Sequence, residues 1–187
     1  MIRLEASRTV VRDWKPADIE PLRTWMRPDA RWHETNGPYF PRPTMQELQQ
    51  NVERRRRESQ SDPADRPDPR TSLAIATAHT DELLGQVSWY WESEATDWRR
   101  MGIVIYDPAN WCDGHGTEAM RLWTTYLFNS TETARLDLAT YSGNPGMMGV
   151  ARKLGFREEG RFRKARVVNG RFYDSLVYGI LREEWRC

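Results

Sequence analysis

The chain has 187 residues, room for one domain with a substantial core. Its formal net charge is +1, so no global field draws it to nucleic acid or to an anionic membrane. The two cysteines, Cys112 and Cys187, make neither a disulfide framework nor a zinc site, and no metal site is expected. No basic-then-apolar leader follows Met1 and no apolar run is long enough to span a bilayer, which points to a reducing, cytoplasmic setting. Nine tryptophans exceed what one core uses, so some are expected at a groove or on a homodimer face.

In chain order, residues 9–14 read as a strand, and Pro16 opens a helix with Ile19, Leu22, Trp25 and Met26 on one face. Residues 32–43 are loop-like and aromatic. Thr44 and Glu47 form a capping box for a helix through Leu48 and Val52. That helix dissolves into Arg54–Arg57, read as a solvated helix end rather than a nucleic-acid patch, because acids flank the run. Residues 59–70 are proline-rich and polar and are expected to be a mobile loop within a single domain spanning residues 1–187. Strands are predicted over 72–77, 83–91, 99–106 and 134–141, and helices over 118–128 and 144–154. A closing hairpin, 156–168 and 171–181, turns at Asn169-Gly170. Hairpins mixed with one β-α-β crossover make the class α+β, or mixed α/β.

The richest stretch is Gly102 to Thr117, GIVIYDPANWCDGHGT. A strand, a glycine turn and a helix start present free amides and the positive end of a helix dipole, a natural anion site. Glycine lets a phosphate approach the backbone closely.

Three passages together resemble the GNAT acetyltransferases, and within them the RimJ/RimL-type branch of ribosomal-protein N-acetyltransferases. They are residues 111–119, with Gly114-His115-Gly116; Asn144 with Lys153-Leu-Gly-Phe156; and the C-terminal passages Glu159-Gly160, Asn169-Gly170, Asp174 and Glu184-Trp185. The resemblance implies a twisted mixed sheet of about seven strands and about four helices, with two parallel strands splayed into a V-shaped cleft for acetyl-CoA. By residue match, the backbone of Ile103, Val104 and Ile105 pairs with pantetheine. The amides of Cys112, Asp113, Gly114, His115, Gly116 and Thr117 hold the pyrophosphate, Asn144 lies near the thioester, and Arg152 reaches the nucleotide.

The chain also departs from the family's pattern. Ala151 stands where many relatives carry a tyrosine acid, Met147 where the RimL type has serine, and Arg166 where it has glutamate. Trp111 and Asp113 replace the usual Gln or basic residues beside the glycine turn. The catalytic candidates that remain are Asp137, which matches a base position in some relatives and also reads as a structural strand carboxylate; Glu92, through water; and the hydroxyls of Tyr141 and Ser142 just before Asn144. For the acceptor, the candidates are residues 32–40, the cluster Trp89-Tyr90-Trp91 and the basic hairpin from Arg161 to Tyr173, which reads equally as an acid-binding or an ordinary solvated surface. The expected function is acetyl-CoA-dependent transfer of an acetyl group to a primary amine of a small molecule or a protein N-terminus. The alternative is a catalytically weak CoA- or partner-binding module of the same fold.

Overall fold

A computed structural model describes residues 1–186, and Cys187, read above as part of neither a disulfide framework nor a zinc site, lies outside the described residues. Short apolar alternations form eight strands: β1 (Arg3–Glu5), β2 (Thr9–Arg12), β3 (Ser72–Thr77), β4 (Leu83–Ser93), β5 (Trp98–Ile105), β6 (Arg135–Tyr141), β7 (Arg157–Val168) and β8 (Arg171–Leu181). They make one sheet in the order β1-β2-β3-β4-β5-β6-β8-β7, antiparallel except between β5 and β6. The sheet has one strand more than expected: Arg3–Glu5 pairs with β2, and its short, charged sequence carries little strand signal.

Helices α1 (Ile19–Trp25), α2 (Met45–Gln60), α3 (His115–Ser130) and α4 (Pro145–Lys153) cover the two faces. Alternation decides which face each strand residue serves. Leu73, Ile75, Val87, Met101 and Leu138 pack beneath α3 and α4 through Met120, Trp123 and Ala151. Ala74 and Tyr106 point the other way, to Leu22, Leu48 and Val52 of α1 and α2.

The α2 capping box forms as read: the Glu47 amide donates to Thr44 Oγ1 at 3.2 Å and the Thr44 amide to Glu47 Oε2 at 2.7 Å. The helix then runs on through the arginine cluster instead of dissolving there. Arg55 is buried, 5.2 Å from the centroid of a Trp14 ring and paired with Glu58, while Arg56 and Arg57 reach Glu53. The cluster is therefore largely spoken for by its own helix. None of the described helices is long and apolar enough to cross a membrane.

Residues 59–70 fold against the body. Arg66 and Arg70 are buried and share Asp13, with Arg70 Nε at 2.9 Å from Asp13 Oδ1. Arg70 also donates to the carbonyls of Pro63 and Pro67, and its amide to the Tyr126 hydroxyl. Composition alone reads these arginines as solvent residues, and only the buried carboxylate from β2 gives them a place inside.

The feature that positions the site is the parting of the two parallel strands. β5 and β6 pair at only three positions: Arg99 with Leu136, Arg100 with Asp137, and Met101 with Leu138. Past that point β5 continues on β4 to Ile105, and β6 on β8 to Tyr141. The expected V-shaped opening lies between them.

Asp13 and Asp81 sustain this scaffold. Burial works against the charge on both, and cationic partners more than offset it: Arg70 and the Ile2 amide at Asp13; Lys15, Arg12 and Arg3 at Asp81. Both carboxyls are thus held below their ordinary range. Their stabilisation is present above the unfolded carboxylate pKa and is lost as pH falls through the folded one. Asp13→Asn, which strands two buried guanidiniums, is expected to cost about 3–5 kcal/mol in urea unfolding at pH 7. The gap to the unmutated chain should narrow below about pH 4.

Candidate active site

Backbone alternation shows which groups the parting exposes. The Tyr106 amide donates to the Leu84 carbonyl of β4 at 2.9 Å, so even-numbered residues of this stretch turn their backbone groups to β4 and odd-numbered ones to the gap. Ile103 and Ile105 therefore face the cleft. Val104, registered with Gln86, spends its backbone groups on β4, which corrects the expectation that all three pair with a ligand. The Ile105 carbonyl accepts a bond from the Trp111 indole at 2.9 Å. The Ile103 amide and carbonyl lie opposite no residue of β6. The cleft has a volume of about 610 Å³, within the range of small-ligand sites.

At one end, β5 leads through Trp111 to a turn and then to α3. Cys112 (φ 69°) and Gly114 (φ 91°) are both left-handed there. Thr117 and Glu118 donate their amides to the Gly114 carbonyl at 3.0 Å, leaving the first amides of α3, at His115 and Gly116, for an anion. Cys112, Gly114, Gly116 and the Thr117 side chain line the cleft. Asp113 and His115 do not. His115 Nδ1 lies 2.9 Å from Thr9 Oγ1 on β2, and the Asp113 carbonyl accepts from Arg8 Nη1 at 2.7 Å. Arg8 thus brings a cation to the turn, bonded to its backbone. Glu118 fixes this arrangement from outside, accepting from Ser7 Oγ at 2.6 Å and the Arg8 amide at 3.0 Å.

At the other end, Asn144 caps α4 by accepting from the Met147 amide at 3.0 Å, and its Nδ2 donates to the Thr35 carbonyl at 3.2 Å. It therefore joins the helix to the loop between α1 and α2. Tyr39 of that loop meets Tyr141 edge-on at 5.5 Å between ring centroids, and Tyr141 meets Tyr173 of β8 in the same way at 5.4 Å. Burial, with lesser contributions from Tyr173 and Tyr39, raises the Tyr141 phenol above its ordinary pKa. It stays protonated at neutral pH and so has a proton to donate, at present to the Glu34 carbonyl at 3.5 Å.

A sequence profile for the GNAT acetyltransferase domain matches residues 8–157. The chain belongs to the GNAT acetyltransferase family. Among curated proteins it is 36% identical over 88 residues to the "Putative ribosomal N-acetyltransferase YdaF" of Bacillus subtilis, covering 46% of this chain and 48% of that one. It is 26% identical over 108 residues to the uncharacterized N-acetyltransferase YoaA of the same organism, covering 58% and 60%. The chain thus matches about half the length of these relatives. A GNAT acetyltransferase from Bacillus anthracis superposes with a TM-score of 0.74 at 18% identity, over 98% of this chain and 100% of that one. Spermidine N-acetyltransferase from Vibrio cholerae, solved with CoA and spermine, gives 0.72 at 16%, over 96% and 98%. At such identities the likeness is one of fold.

Within this GNAT cleft the predicted catalytic residues separate. Tyr141 lines it. Asp137 is fully buried away from it, with Oδ1 accepting from Arg100 Nε at 2.8 Å and Oδ2 from Trp98 Nε1 and Arg100 Nη2 at 2.8 and 2.9 Å. Glu92 pairs with the same arginine at 2.7 Å. Ser142 Oγ accepts from the Asp174 amide at 2.9 Å and so serves the β7–β8 hairpin. These three are structural partners, not cleft groups. Arg152 interacts with Tyr178 and Glu158, and its neighbour Lys153 lines the cleft instead. Trp89 and Trp91 pack around Arg99, at 4.9 and 4.2 Å, away from the acceptor end. Among the described residues no carboxylate or imidazole lines the cleft.

Sequence reasoning missed the roles of Lys153, Trp111 and Arg8. Lys153 carried a signal, its place in the Lys-x-Gly-Phe motif. The Trp111 bond and the Arg8 contact depend on chain crossings that no local pattern encodes. Asp137→Ala is expected to lower stability by about 3–5 kcal/mol, because it strips a mostly buried guanidinium of its main partner. Tyr141→Phe should change the melting midpoint far less, and thermal unfolding of the two variants compares them directly.

Proposed function

We propose that this chain is an acetyl-CoA-dependent N-acetyltransferase that moves the acetyl group to a primary amine, on a small molecule or a protein N-terminus, by direct transfer in a ternary complex. The observation that most supports this is the gap beyond Met101 and Leu138, with the start of α3 at one end and Tyr141 at the other. The residues fit CoA. Ile103 offers an amide and a carbonyl to a pantetheine arm, as an added strand would receive them. His115 and Gly116 offer amides to a pyrophosphate, with Arg8 and Lys153 as nearby cations. Acetyl-CoA supplies an activated thioester carbonyl. Around it, the cleft orients the amine and excludes water, which alone contributes several kcal/mol.

Tyr141 is the donor for the departing thiolate. The cleft holds no carboxylate base, so the acceptor must shed its proton before attack. That is easier for an α-amine, with a pKa of about 8, than for a lysine-like amine at about 10.4. YdaF's description suggests ribosomal proteins as acceptors, but Met147 and Arg166 weigh against that choice here. The missing base also favours a second reading, a CoA-binding module with weak turnover.

Acetyl-CoA at a hundredfold excess over its dissociation constant should stabilise the fold by about 2.7 kcal/mol in thermal melts, and no shift at millimolar ligand overturns the reading. Release of CoA with an amine panel decides between catalyst and binder. Tyr141→Phe should lower kcat on the order of 10²-fold while leaving acetyl-CoA affinity unchanged. The kcat/KM of the unmutated chain should rise with pH as the amine deprotonates. Because the phenol is held above its ordinary pKa, no fall should appear below about pH 9.

A further inference from the structure

Beside the Tyr141 end of the cleft stands a guanidinium with which no described carboxylate pairs. Arg166 of β7 lies over the ring of Tyr39, 4.2 Å from its centroid, and 5.6 Å from that of Phe40. It is registered opposite Tyr173, and Tyr39 and Tyr173 flank the Tyr141 ring. Its Nε is buried without a hydrogen-bond partner, and no described carboxylate forms an ion pair with it. Arg161, by contrast, is taken up by Glu158 and Asp174, both at 2.7 Å. Among the described cations of the hairpin, Arg166 is set apart by this buried nitrogen without a partner.

Two consequences follow for an incoming amine. A guanidinium already lies over one face of Tyr39 and near that of Phe40, so a second cation on these rings meets a like charge. A polycationic acceptor would also meet an uncompensated like charge in a partly desolvated corner, with no acid in the cleft to offset it. A carboxylate, by contrast, supplies the partner that Arg166 lacks, and guanidinium–carboxylate pairs are short, charge-assisted and planar. Arg166 and Tyr141 share Tyr39 as a neighbour, so an anion paired with Arg166 sits close to the amine along the acceptor, not at a distant end.

We propose that the acceptor is an amine carrying a nearby carboxylate, and that Arg166 is the residue that selects it. This rests on the acetyltransferase reading for its chemistry, but the binding preference is measurable without turnover. N-acetylglycine and N-acetylphenylalanine, each paired with its uncharged amide, isolate the carboxylate from any change in amine pKa. An N-acetyl-aspartyl dipeptide amide places the carboxylate on a side chain and separates a free amino acid from an acidic peptide N-terminus. Calorimetric titration of the full chain, with and without CoA, should show at least one carboxylate compound binding tenfold or more tightly than its neutral match. Arg166→Gln should bring the ratio near one, and Arg166→Lys should retain part of it. The unchanged far-UV spectrum and melting midpoint of each variant show that the fold is kept. Equal affinity within every pair, no binding of any carboxylate, or a preference that survives Arg166→Gln overturns the inference. Failure of the acetyltransferase reading appears separately, as no heat on titrating CoA itself.

Discussion

The structure depends on the point where two parallel strands stop pairing. Just below that vertex Arg100 and Asp137 stand opposite each other in register, and Asp137 is fully buried with both oxygens bonded. An ion pair of this kind adds little net stability relative to a well-packed apolar pair, but losing one partner is costly. What it supplies is definition. Arg100 also reaches Glu92 on β4, so one guanidinium ties together the three strands β4, β5 and β6. Above it, β5 stays on β4 and β6 on β8, and the edges that the two strands turn toward each other no longer pair.

Each end of the cleft is held by a contact distant in sequence. The start of α3 is clamped by the segment between β1 and β2, through Ser7 and Arg8 on Glu118 and through Arg8 on Asp113. The free amides at the start of α3 are positioned from outside the turn, and Arg8 lies beside them. At the other end, Asn144 links α4 to Thr35, and Tyr141 and Tyr39 pack edge-on. The loop after α1 thereby becomes a wall of the cleft. Membership of the GNAT family and this two-ended cleft agree.

Most of the fold was legible in the sequence, because periodicity and turn chemistry are local. The Asn169-Gly170 turn has both residues left-handed, the conformation that this pair favours in a tight hairpin. The Thr44–Glu47 capping box and the glycine turn before α3 formed where their residues stood. Expectations failed where a charged side chain was buried by a partner far along the chain. Arg55 found Trp14, and Arg66 and Arg70 found Asp13, so a solvated helix end and a loop became packed structure. The first strand was missed because three residues with alternating charge show no apolar pattern.

The sequence by itself determined the family and the element order beyond the first strand, since those rest on short-range spacing of apolar, glycine and capping residues. Only the tertiary structure decided which side chains face the cleft. Asp137, Glu92 and Ser142 look like catalytic groups along the chain, yet each is consumed by a neighbour: Arg100 takes the two acids and the Asp174 amide takes the serine. Tyr141 lines the cleft, its hydroxyl held only by a long 3.5 Å bond to the Glu34 carbonyl, and Arg166, with its Nε unbonded, stands near it. The reason is physical. Whether a polar side chain is spent on the fold or left for a ligand depends on the partners that the sheet brings within bonding distance, and those partners lie on other strands.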